Sequence, residues 1–511
     1  MKIDNIKLKP GEREEKLKKI AEEKLHGKCA YLRILRKSLD ARVKSDIRWV
    51  YSIEADRTVR GEQEKVFLQA KEKDRRVIVI GSGPAGLFCA LRLIEHGFCP
   101  IVLERGGSVE ERTEQNDRFF HGQPLDEDTN VQFGEGGAGT FSDGKLNTQT
   151  HTPLNRDVLD MFIRFGAPEE IAYLQKPHVG SDNLKNVVRN MRRHILHAGG
   201  EVHFHCRFED IVFSGGRVVK AVARNTKTGE RKDFTCDALV LAIGHSSRDT
   251  FRMLAEKGFA IEQREFAVGV RIEHLQEKIN IAQYSAWHTL LPPADYKLVS
   301  HAGERSAFTF CMCPGGYVMP AASECGGVVT NGMSNYARDG RNANSALLVQ
   351  IKKEDFDRGG VLDGAEFQRR IERAAFAAAG SSYAAPVQRA EDFLRQRKSV
   401  RFGEVLPTYA AGTCMCDINL LFPESVTSSL KAAISDMGKR LQGFDHPDAL
   451  LTAPETRFSS PVRILRGENG ESLSHAGVYP CGEGCGYSGG IMSSAADGLR
   501  VAEKIFEKYN A

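Results

Sequence analysis

The stretch from residue 76 to residue 105, RVIVIGSGPAGLFCALRLIEHGFCPIVLER, constrains the fold of this chain more than any other. A β-branched apolar run is followed by glycines, by apolar residues at helical spacing and by a second apolar run. This order predicts a strand, a tight turn, a helix and a strand. Gly81, Gly83 and Gly86 form a GxGxxG pattern at the turn. Glycines at these positions allow the turn, the approach of the backbone to a pyrophosphate and close contact of helix and strand.

An acidic residue at the end of the second strand supports the same interpretation. Glu104 lies 18 residues after Gly86, where a carboxylate can accept hydrogen bonds from both hydroxyls of a ribose. The helix N-terminus offers free N–H groups and a positive dipole end to the pyrophosphate. We therefore predict a bound dinucleotide, and the charge of Glu104 predicts that NADP is excluded from this turn.

The length of 511 residues predicts two or three domains. The predicted class is α/β, with a discontinuous Rossmann-type domain at 71–265 and 451–511. A mixed α+β substrate domain at 266–450 is inserted into it, and a small α+β module, ferredoxin-like, precedes it at 1–70. Helices of the inserted domain are predicted at Asn344–Lys353, Gly364–Ala379 and Pro423–Met437.

The N-terminal module carries most of the positive charge. Residues 1–76 hold 22 Lys and Arg against 14 Asp and Glu, a net charge of +8, and the rest of the chain has a net charge of −4. Such a segment can attract nucleic acid, but a solvated face is the commoner explanation. Two strands, Ala30–Leu35 and Ile47–Ile53, are predicted around the polar stretch KSLDARVKSD, and a charged linker follows at 71–76. No cofactor motif lies in the module, so it is expected to be dispensable for cofactor binding.

Neither a membrane segment nor a secretion signal is predicted. No window of roughly 18 uncharged apolar residues is present, and the start, MKIDNIKLKP, lacks the apolar core of a signal peptide. A soluble cytoplasmic protein is expected, and its 12 cysteines should be free thiols. No CxxC pair and no histidine cluster occur, so no metal site is predicted.

A glycine-rich loop, FGEGGAGTFSDGKL, spans residues 133–146. It holds too many glycines for a helix or a strand, and a flexible surface loop is one interpretation. We favour a loop that lines a flavin or a phosphate. The polar Asp143 and Lys145 alternate there with glycines that allow close approach of the backbone.

Three motifs occur in the order of the FAD-contacting motifs of two-domain flavoproteins: GSGPAG with Glu104, LAIGHSS at 241–247 and GVYPCGEGCGYSGG at 477–490. The chain more closely resembles the uncharacterised bacterial FAD-dependent dehydrogenases, relatives of the HI0933-like flavoproteins. That resemblance rests on EGGAGTFSDGKL, on FCMCPGGYVMPAASE at 310–324, on TNGMS at 330–334 and on the basic module with KSLDAR. It implies an oxidoreductase with FAD as its cofactor.

The resemblance implies that the first turn holds the pyrophosphate, that Glu104 binds the adenosine ribose and that a backbone group at Phe208 meets the adenine. Glu483 matches the acid that binds ribityl or phosphate oxygens, and the helix after it points at the flavin pyrimidine. Two positions depart from the common pattern: Ala-Ile-Gly replaces Ala-Thr-Gly in the middle motif, and Glu483 replaces Asp. With the loop residues, the candidate cofactor-binding set is Gly81, Gly83, Pro84, Ala85, Gly86, Glu104, Arg105, Gly137, Ala138, Lys145, Phe208, Ala242, Gly244, Gly482, Glu483, Gly489, Gly490 and Ile491.

Catalytic candidates are fewer. His245 directly follows the middle motif and could donate a proton, although a histidine that satisfies loop carbonyls is the alternative. Cys311 and Cys313 would share one face of a strand, so a dithiol is an option beside ordinary core contact. Lys145 could stabilise negative charge on a reduced flavin, and Tyr487 is a weaker candidate of the same kind.

These residues predict an FAD-dependent oxidoreductase that moves a hydride or an electron pair through flavin N5 to or from an organic small molecule. No second Rossmann unit is visible, so a nicotinamide donor, NADH or NADPH, would bind transiently in the same cleft. An RNA-linked flavoprotein that uses the basic module is one alternative. A non-catalytic flavin-holding redox sensor is another.

Overall fold

The computed structural model describes residues 1–59, 75–148, 150 and 152–510. The predicted charged linker at 71–76 lies outside these ranges except for Arg75 and Arg76. Within the described ranges, no helix combines the length and the apolar composition that crossing a membrane requires.

The N-terminal module consists of β1 (Lys2–Leu8), α1 (Glu15–Leu25), β2 (Tyr31–Asp40) and β3 (Arg48–Asp56). The strands form an antiparallel sheet in the order β1-β3-β2. β2 is longer than predicted and takes in the polar KSLD, because pairing with β3 continues to Asp40. The backbone of Lys37 also exchanges hydrogen bonds with Tyr173 and Gln175 of the body, at 2.8 and 3.0 Å. The ferredoxin-like topology and the domain boundaries stay predictions.

The GxGxxG unit forms the middle of a five-stranded parallel sheet, as its sequence predicts. The elements from 77 to 256 are β4 (Val77–Ile80), α2 (Pro84–Glu95), β5 (Ile101–Leu103), α3 (Val109–Phe120), α4 (Leu154–Arg164), α5 (Ser181–His197), β6 (Glu201–His203), β7 (Cys206–Ser214), β8 (Arg217–Asn225), β9 (Arg231–Thr235), β10 (Ala238–Leu241) and α6 (Arg248–Glu256). β4, β5, β6 and β10 belong to the parallel sheet, and β7 to β9 form an antiparallel sheet beside it.

The following part of the chain builds a seven-stranded, mostly antiparallel sheet and two short strand pairs. The elements from 261 to 464 are β11 (Ile261–Gln263), β12 (Phe266–Leu275), α7 (Gln276–Tyr284), β13 (Val299–Ser300), β14 (Ala307–Cys313), β15 (Tyr317–Pro320), β16 (Thr330–Met333), β17 (Asn342–Ile351), α8 (Asp363–Ala378), β18 (Ala385–Arg389), α9 (Ala390–Leu394), β19 (Thr413–Met415), α10 (Glu424–Arg440), β20 (Leu450–Glu455) and β21 (Val462–Ile464). The strand order is β13-β14-β17-β12-β20-β18-β19. β11 pairs with β21, and β15 pairs with β16.

The helix predicted at Asn344–Lys353 is wrong, because this stretch up to Ile351 belongs to β17, an interior strand of the sheet. Nearly all of its residues are buried, since both faces of the sheet are covered. A strand buried on both faces has a continuous apolar run, which periodicity cannot distinguish from a buried helix. The helices predicted at Gly364–Ala379 and Pro423–Met437 correspond to α8 and α10.

The parallel sheet is completed by β22 (Val478–Pro480), which pairs with β10 and is followed by α11 (Ile491–Asn510). α11 packs closely on α2, and a Cβ atom at Gly498 would lie only 2.1 Å from the carbonyl oxygen of Ala85. The α/β class and the Rossmann-like sheet are thus confirmed.

A buried ionic joint connects the two large sheets. It consists of Arg248 at the start of α6, Glu372 on α8 and Arg457 just after β20. Glu372 accepts two hydrogen bonds from Arg248 at 2.8 and 2.9 Å and two from Arg457 at 2.9 and 3.0 Å. Burial alone would raise the pKa of Glu372, but the two guanidinium groups outweigh it and hold this pKa well below its usual range.

Candidate functional site

A cleft of about 920 Å³ lies between the carboxyl edge of the parallel sheet and the seven-stranded sheet. Ligands of open α/β sheets bind at this edge. The predicted residues that line the cleft are Gly81, Gly83, Pro84, Ala85, Glu104, Arg105, Gly137, Ala138, Lys145, Phe208, Ala242, Gly244, His245, Cys311, Glu483, Gly489, Gly490 and Ile491. No described residue of the N-terminal module is among the residues that line it.

Three predicted site residues, Gly86, Gly482 and Cys313, do not line the cleft. A Cβ atom on Gly86 would lie 1.9 Å from the carbonyl oxygen of Gly81, so Gly86 serves contact between helix and strand. A Cβ atom on Gly482 would lie 2.7 Å from the Cβ atom of Ala85, so the glycine allows the turn after β22 to pack against α2. Cys313 is fully buried behind the cleft wall, because β14 is irregular at this point.

Two helices begin at the cleft and leave room in front of their N-termini. α2 has no side chain that caps its N-terminus, and a Cβ atom on the preceding Gly83 would meet only the Cα atom of Gly137, at 3.8 Å. α11 follows Gly489 and Gly490, and Cβ atoms on these glycines would meet nothing within 4 Å. Free N–H groups at a helix N-terminus suit the phosphate groups of a dinucleotide. These residues therefore fit a bound dinucleotide.

Glu104 is buried at the cleft wall, and both of its oxygens are engaged. Oε2 accepts hydrogen bonds from the N–H and the hydroxyl of Ser82, at 2.9 and 2.7 Å. Oε1 accepts hydrogen bonds from the N–H groups of Gly106 and Gly134, at 3.0 and 2.9 Å. A carboxylate has about four acceptor positions, so these donors use its capacity. Glu104 thus ties the GxGxxG turn to the glycine-rich loop. Its contact with the ribose hydroxyls stays a prediction.

The glycine-rich loop is held in place by a fully buried arginine that the sequence does not single out. Arg112 on α3 donates hydrogen bonds to the carbonyl oxygens of Asn130, Glu135 and Gly137, at 2.7, 2.7 and 2.8 Å. Burial lowers the pKa of Arg112 to about 9. Because two loop carbonyls and the preceding carbonyl of Asn130 converge on one guanidinium group, the loop is a fixed wall of the cleft rather than a flexible surface loop.

Lys145 is paired within the same loop. Its Nζ lies 3.9 Å from the buried carboxylate of Asp143, which also accepts a hydrogen bond from Nε of Arg338 at 2.9 Å. Burial alone would raise the pKa of Asp143, but the charges of Lys145 and Arg338 outweigh it and keep this pKa below its usual range. Lys145 thus brings a positive charge to the cleft from a defined position.

His245 has one occupied and one open ring nitrogen. Nδ1 lies 3.2 Å from Oε1 of Glu483, and Nε2 is buried with no hydrogen-bond partner among the described residues. A carboxylate at Nδ1 favours the tautomer that carries its proton there, which leaves Nε2 free to accept a proton. Both side chains line the cleft.

The two predicted cysteines lie on a kink in β14. The pairing of β14 with β17 shifts register between Phe310 and Cys313, and Cys311 has a φ of 42°, in the left-handed region. Cys311 therefore faces the cleft, whereas Sγ of Cys313 turns behind it and donates to the carbonyl oxygen of Cys311 at 3.3 Å. The predicted common face of the two side chains is wrong, because it assumed a regular strand.

Glu455, at the end of β20, is a cleft residue that sequence reasoning missed. Burial raises the pKa of its carboxyl group to about 7, although Nη1 of Arg271 lies 3.5 Å away and opposes the shift. Oε2 of Glu455 has no hydrogen-bond partner among the described residues. A charged residue inside the apolar run LLTAPE is the signal that could have indicated it.

The raised pKa of Glu455 makes stability depend on pH. Between the ordinary value of 4.5 and about 7, the folded state holds a proton that the unfolded state has lost. The free energy of unfolding therefore falls as the pH rises through this window. Glu455→Gln lacks this titration. Between low and high pH its free energy of unfolding should therefore fall by about 3 kcal/mol less than that of the wild type. Urea unfolding at both ends of the window measures the difference.

The exposed Glu256 offers a control for this experiment. Glu256→Gln should keep the pH dependence of the wild type. Identical pH dependence in the wild type and in Glu455→Gln would contradict the assignment.

Outside the cleft, ligand atoms of Glu404, His446 and Asp448 lie within 4.8 Å of one another. Asp448 also accepts hydrogen bonds from Arg389 at 2.9 and 2.6 Å. The carboxylate of Asp448 thus already has a cationic partner, and this surface group lies apart from the cleft.

Three family models match the chain. A model described as an FAD-binding domain matches residues 76–114, and one described as the C-terminal domain of FAD-dependent proteins matches residues 265–458. A domain of unknown function matches residues 1–56. The match at the GxGxxG unit confirms FAD as the cofactor. An uncharacterised protein of Clostridium beijerinckii is 45% identical over 500 residues, which cover 94% of this chain and 93% of that protein.

Solved structures also resemble the chain at low identity. The flavin-dependent brominase Bmp2 is 14% identical, with a TM-score of 0.40, over 86% of this chain and 80% of that one. A glycerol-3-phosphate dehydrogenase from Bacillus halodurans, complexed with FAD, is 10% identical, with a TM-score of 0.38, over 86% and 66%. A geranylgeranyl bacteriochlorophyll reductase-like protein from Thermoplasma acidophilum is 12% identical, with a TM-score of 0.39, over 85% and 79%.

Proposed function

Because this chain belongs to the same family as the Clostridium beijerinckii protein and binds FAD, we propose that it is an FAD-dependent oxidoreductase acting on an organic small molecule in the cleft. The observation that carries the proposal is the composition of that cleft. Two open helix N-termini lie in the same cavity as groups that can hold or move a proton, His245, Cys311 and Glu455. A finer kinship with the HI0933-like flavoproteins is part of the proposal.

The chain would hold FAD mainly through its backbone. The N–H groups at the start of α2, after Gly83, would bind the pyrophosphate, and those at the start of α11, after Gly490, would favour negative charge on the reduced ring. Lys145 would add a positive charge from the loop. Bound FAD supplies the acceptor or donor of the electron pair.

The residues of the cleft would accept or donate the proton that accompanies the electron pair. His245 would take or give it at Nε2, and Glu483 would keep the ring in the required tautomer. Arg112 and Glu104 would hold the loop and the turn in fixed positions, so that the site does not reorganise during the reaction.

The direct test is purification in air followed by a visible spectrum and a panel of reductants and oxidisable substrates. We expect a yellow protein with non-covalent FAD that is bleached by at least one donor and recovers its colour with an acceptor. A protein that binds FAD but turns over with no member of the panel would favour the flavin-holding sensor. Strong, salt-dependent retention on heparin would favour the RNA-linked alternative instead.

Replacing the proposed proton-carrying residue should reduce turnover without releasing the cofactor. We expect His245→Asn to lower kcat by roughly 10²–10⁴, the usual contribution of a positioned acid or base. FAD content, measured from the absorbance after denaturation, should equal that of the wild type. The exposed His121 provides the matched control, since His121→Asn should change neither quantity. Wild-type turnover in His245→Asn would remove this residue from the mechanism.

A further inference from the structure

The chain contains the tripeptide Cys-Met-Cys twice, in very different surroundings. Cys311 and Cys313 lie at the kinked end of β14, whereas Cys414 and Cys416 lie at β19, the edge strand of the seven-stranded sheet. Only the first pair contributes to the cleft, through Cys311. The second pair therefore serves as an internal reference for the first.

The kink turns the thiol of Cys313 back onto the backbone of Cys311. In a regular strand, alternate side chains point the same way but stay apart. The left-handed φ of 42° at Cys311 and the register shift after Phe310 bend the strand, as bulges do. As a result Sγ of Cys313 donates to the carbonyl oxygen of Cys311 at 3.3 Å, and Nη2 of Arg271 lies 3.8 Å from the same sulfur. One faces the cleft and the other is fully buried behind it.

The pKa values of the two thiols shift in opposite directions. The neighbouring side chain of Cys313, with the positive charges of Lys145 and Arg271, lowers the pKa of Cys311 to about 6, against the effects of burial and of Asp143. The neighbouring side chain of Cys311 and burial raise the pKa of Cys313. Arg271 is fully buried and donates to the carbonyl oxygen of Cys311 at 3.0 Å, which holds the kink.

In the reference pair, Cys414 and Cys416, the pKa shift is different. Sγ of Cys416 lies 3.5 Å from Sγ of Cys414, yet burial and the neighbouring thiol raise the pKa of Cys416 to about 11. The first pair is thus distinguished by a lowered pKa at Cys311, which faces the cleft, beside a raised pKa at Cys313. That arrangement is the one that disulfide chemistry needs, since the thiolate is the reactive form.

We propose that Cys311 and Cys313 form a second two-electron centre, a dithiol that closes to a disulfide and exchanges its electron pair with FAD. The step balances. One S–S bond forms and the S–H bond of Cys313 breaks. The electron pair and that proton pass to FAD, giving the singly protonated reduced flavin anion. The inference rests on the proposed function only in requiring bound FAD.

An anaerobic reductive titration tests the proposal. The FAD-loaded full-length protein is oxidised with diamide, desalted and titrated with dithionite while the flavin absorbance is followed. Cys313→Ser should take up about two electrons per FAD fewer than the wild type, because a disulfide stores two. The matched variant Cys416→Ser should take up as many electrons as the wild type. Equal uptake by the wild type and Cys313→Ser would overturn the proposal.

A second readout on the wild type does not depend on a variant that folds or on turnover. After diamide treatment, free thiols are blocked with N-ethylmaleimide. The protein is then digested, and the masses of the peptides are measured by mass spectrometry. The peptide with Cys311 and Cys313 should carry no label and be about 2 Da lighter than the reduced peptide, as a disulfide requires. Full labelling of both cysteines would refute the centre. If the purified protein contains no FAD, the proposed function is contradicted. The labelling experiment still shows whether the disulfide forms.

Discussion

Gly83→Val is expected to give a folded protein that has lost FAD. The φ of Gly83 is −71°, and a Cβ atom there would meet only the Cα atom of Gly137 at 3.8 Å, so the turn admits a Cβ atom without strain. It would occupy the space in which the pyrophosphate must approach the N-terminus of α2. We expect an affinity roughly a hundredfold lower, which is about 2.8 kcal/mol. Fluorescence titration of the apoprotein with FAD measures it, and circular dichroism checks the fold.

Gly86→Ala provides the contrasting control. Its Cβ atom would lie 1.9 Å from the carbonyl oxygen of Gly81, so it should damage the fold itself as well as FAD binding. Full FAD occupancy in Gly83→Val would show that the pyrophosphate lies elsewhere.

Glu372→Ala is expected to be the most destabilising single change in the ionic joint. Glu372 is 1% exposed, and it is the only carboxylate hydrogen-bonded to Arg457 among the described residues. Its removal leaves Arg457 without that partner, whereas Arg248 keeps a hydrogen bond to Glu324 at 2.9 Å. Breaking a buried ion pair in this way costs about 3–5 kcal/mol, because a charge remains buried without compensation. Urea unfolding, with the slope checked for two-state behaviour, gives the difference in free energy of unfolding.

Glu366→Ala on the same helix is the matched control. Glu366 pairs with Arg369 at the surface, where an ion pair contributes at most about 1 kcal/mol. A loss below about 1 kcal/mol in Glu372→Ala would mean that the joint is not what holds α6 to α8.

Local sequence patterns predicted the parallel sheet and the residues at its carboxyl edge. The apolar run of β4, the GxGxxG turn and the spacing of α2 all indicate one local structure, and tertiary contacts support it. The same reasoning failed for β17, because a strand in the middle of a covered sheet lacks the alternation that identifies strands. It also placed both cysteines of β14 on one face, because a bulge depends on partner strands that local sequence does not reveal.

Several residues of the cleft could not be predicted because their roles come from distant partners. Arg112 is an ordinary helical arginine in the sequence, and only the fold brings the carbonyl oxygens of the loop around it. Glu455 gains its raised pKa from burial beside Arg271, which lies on another strand. Glu104 lines the cleft, but its hydrogen bonds to Ser82 and Gly134 depend on how the loop folds back.

The position of β22 has a consequence for how the protein is made. This strand and α11 supply one edge of the parallel sheet and one wall of the cleft, yet they come more than two hundred residues after β10, with which β22 pairs. Domains generally fold as units and from the N-terminus during synthesis. The ribosome must therefore translate the whole seven-stranded sheet before the FAD site can close. A nascent chain stopped before residue 478 would expose the edge of β10 and lack the second helix N-terminus, so cofactor capture marks a chain whose synthesis has passed this point.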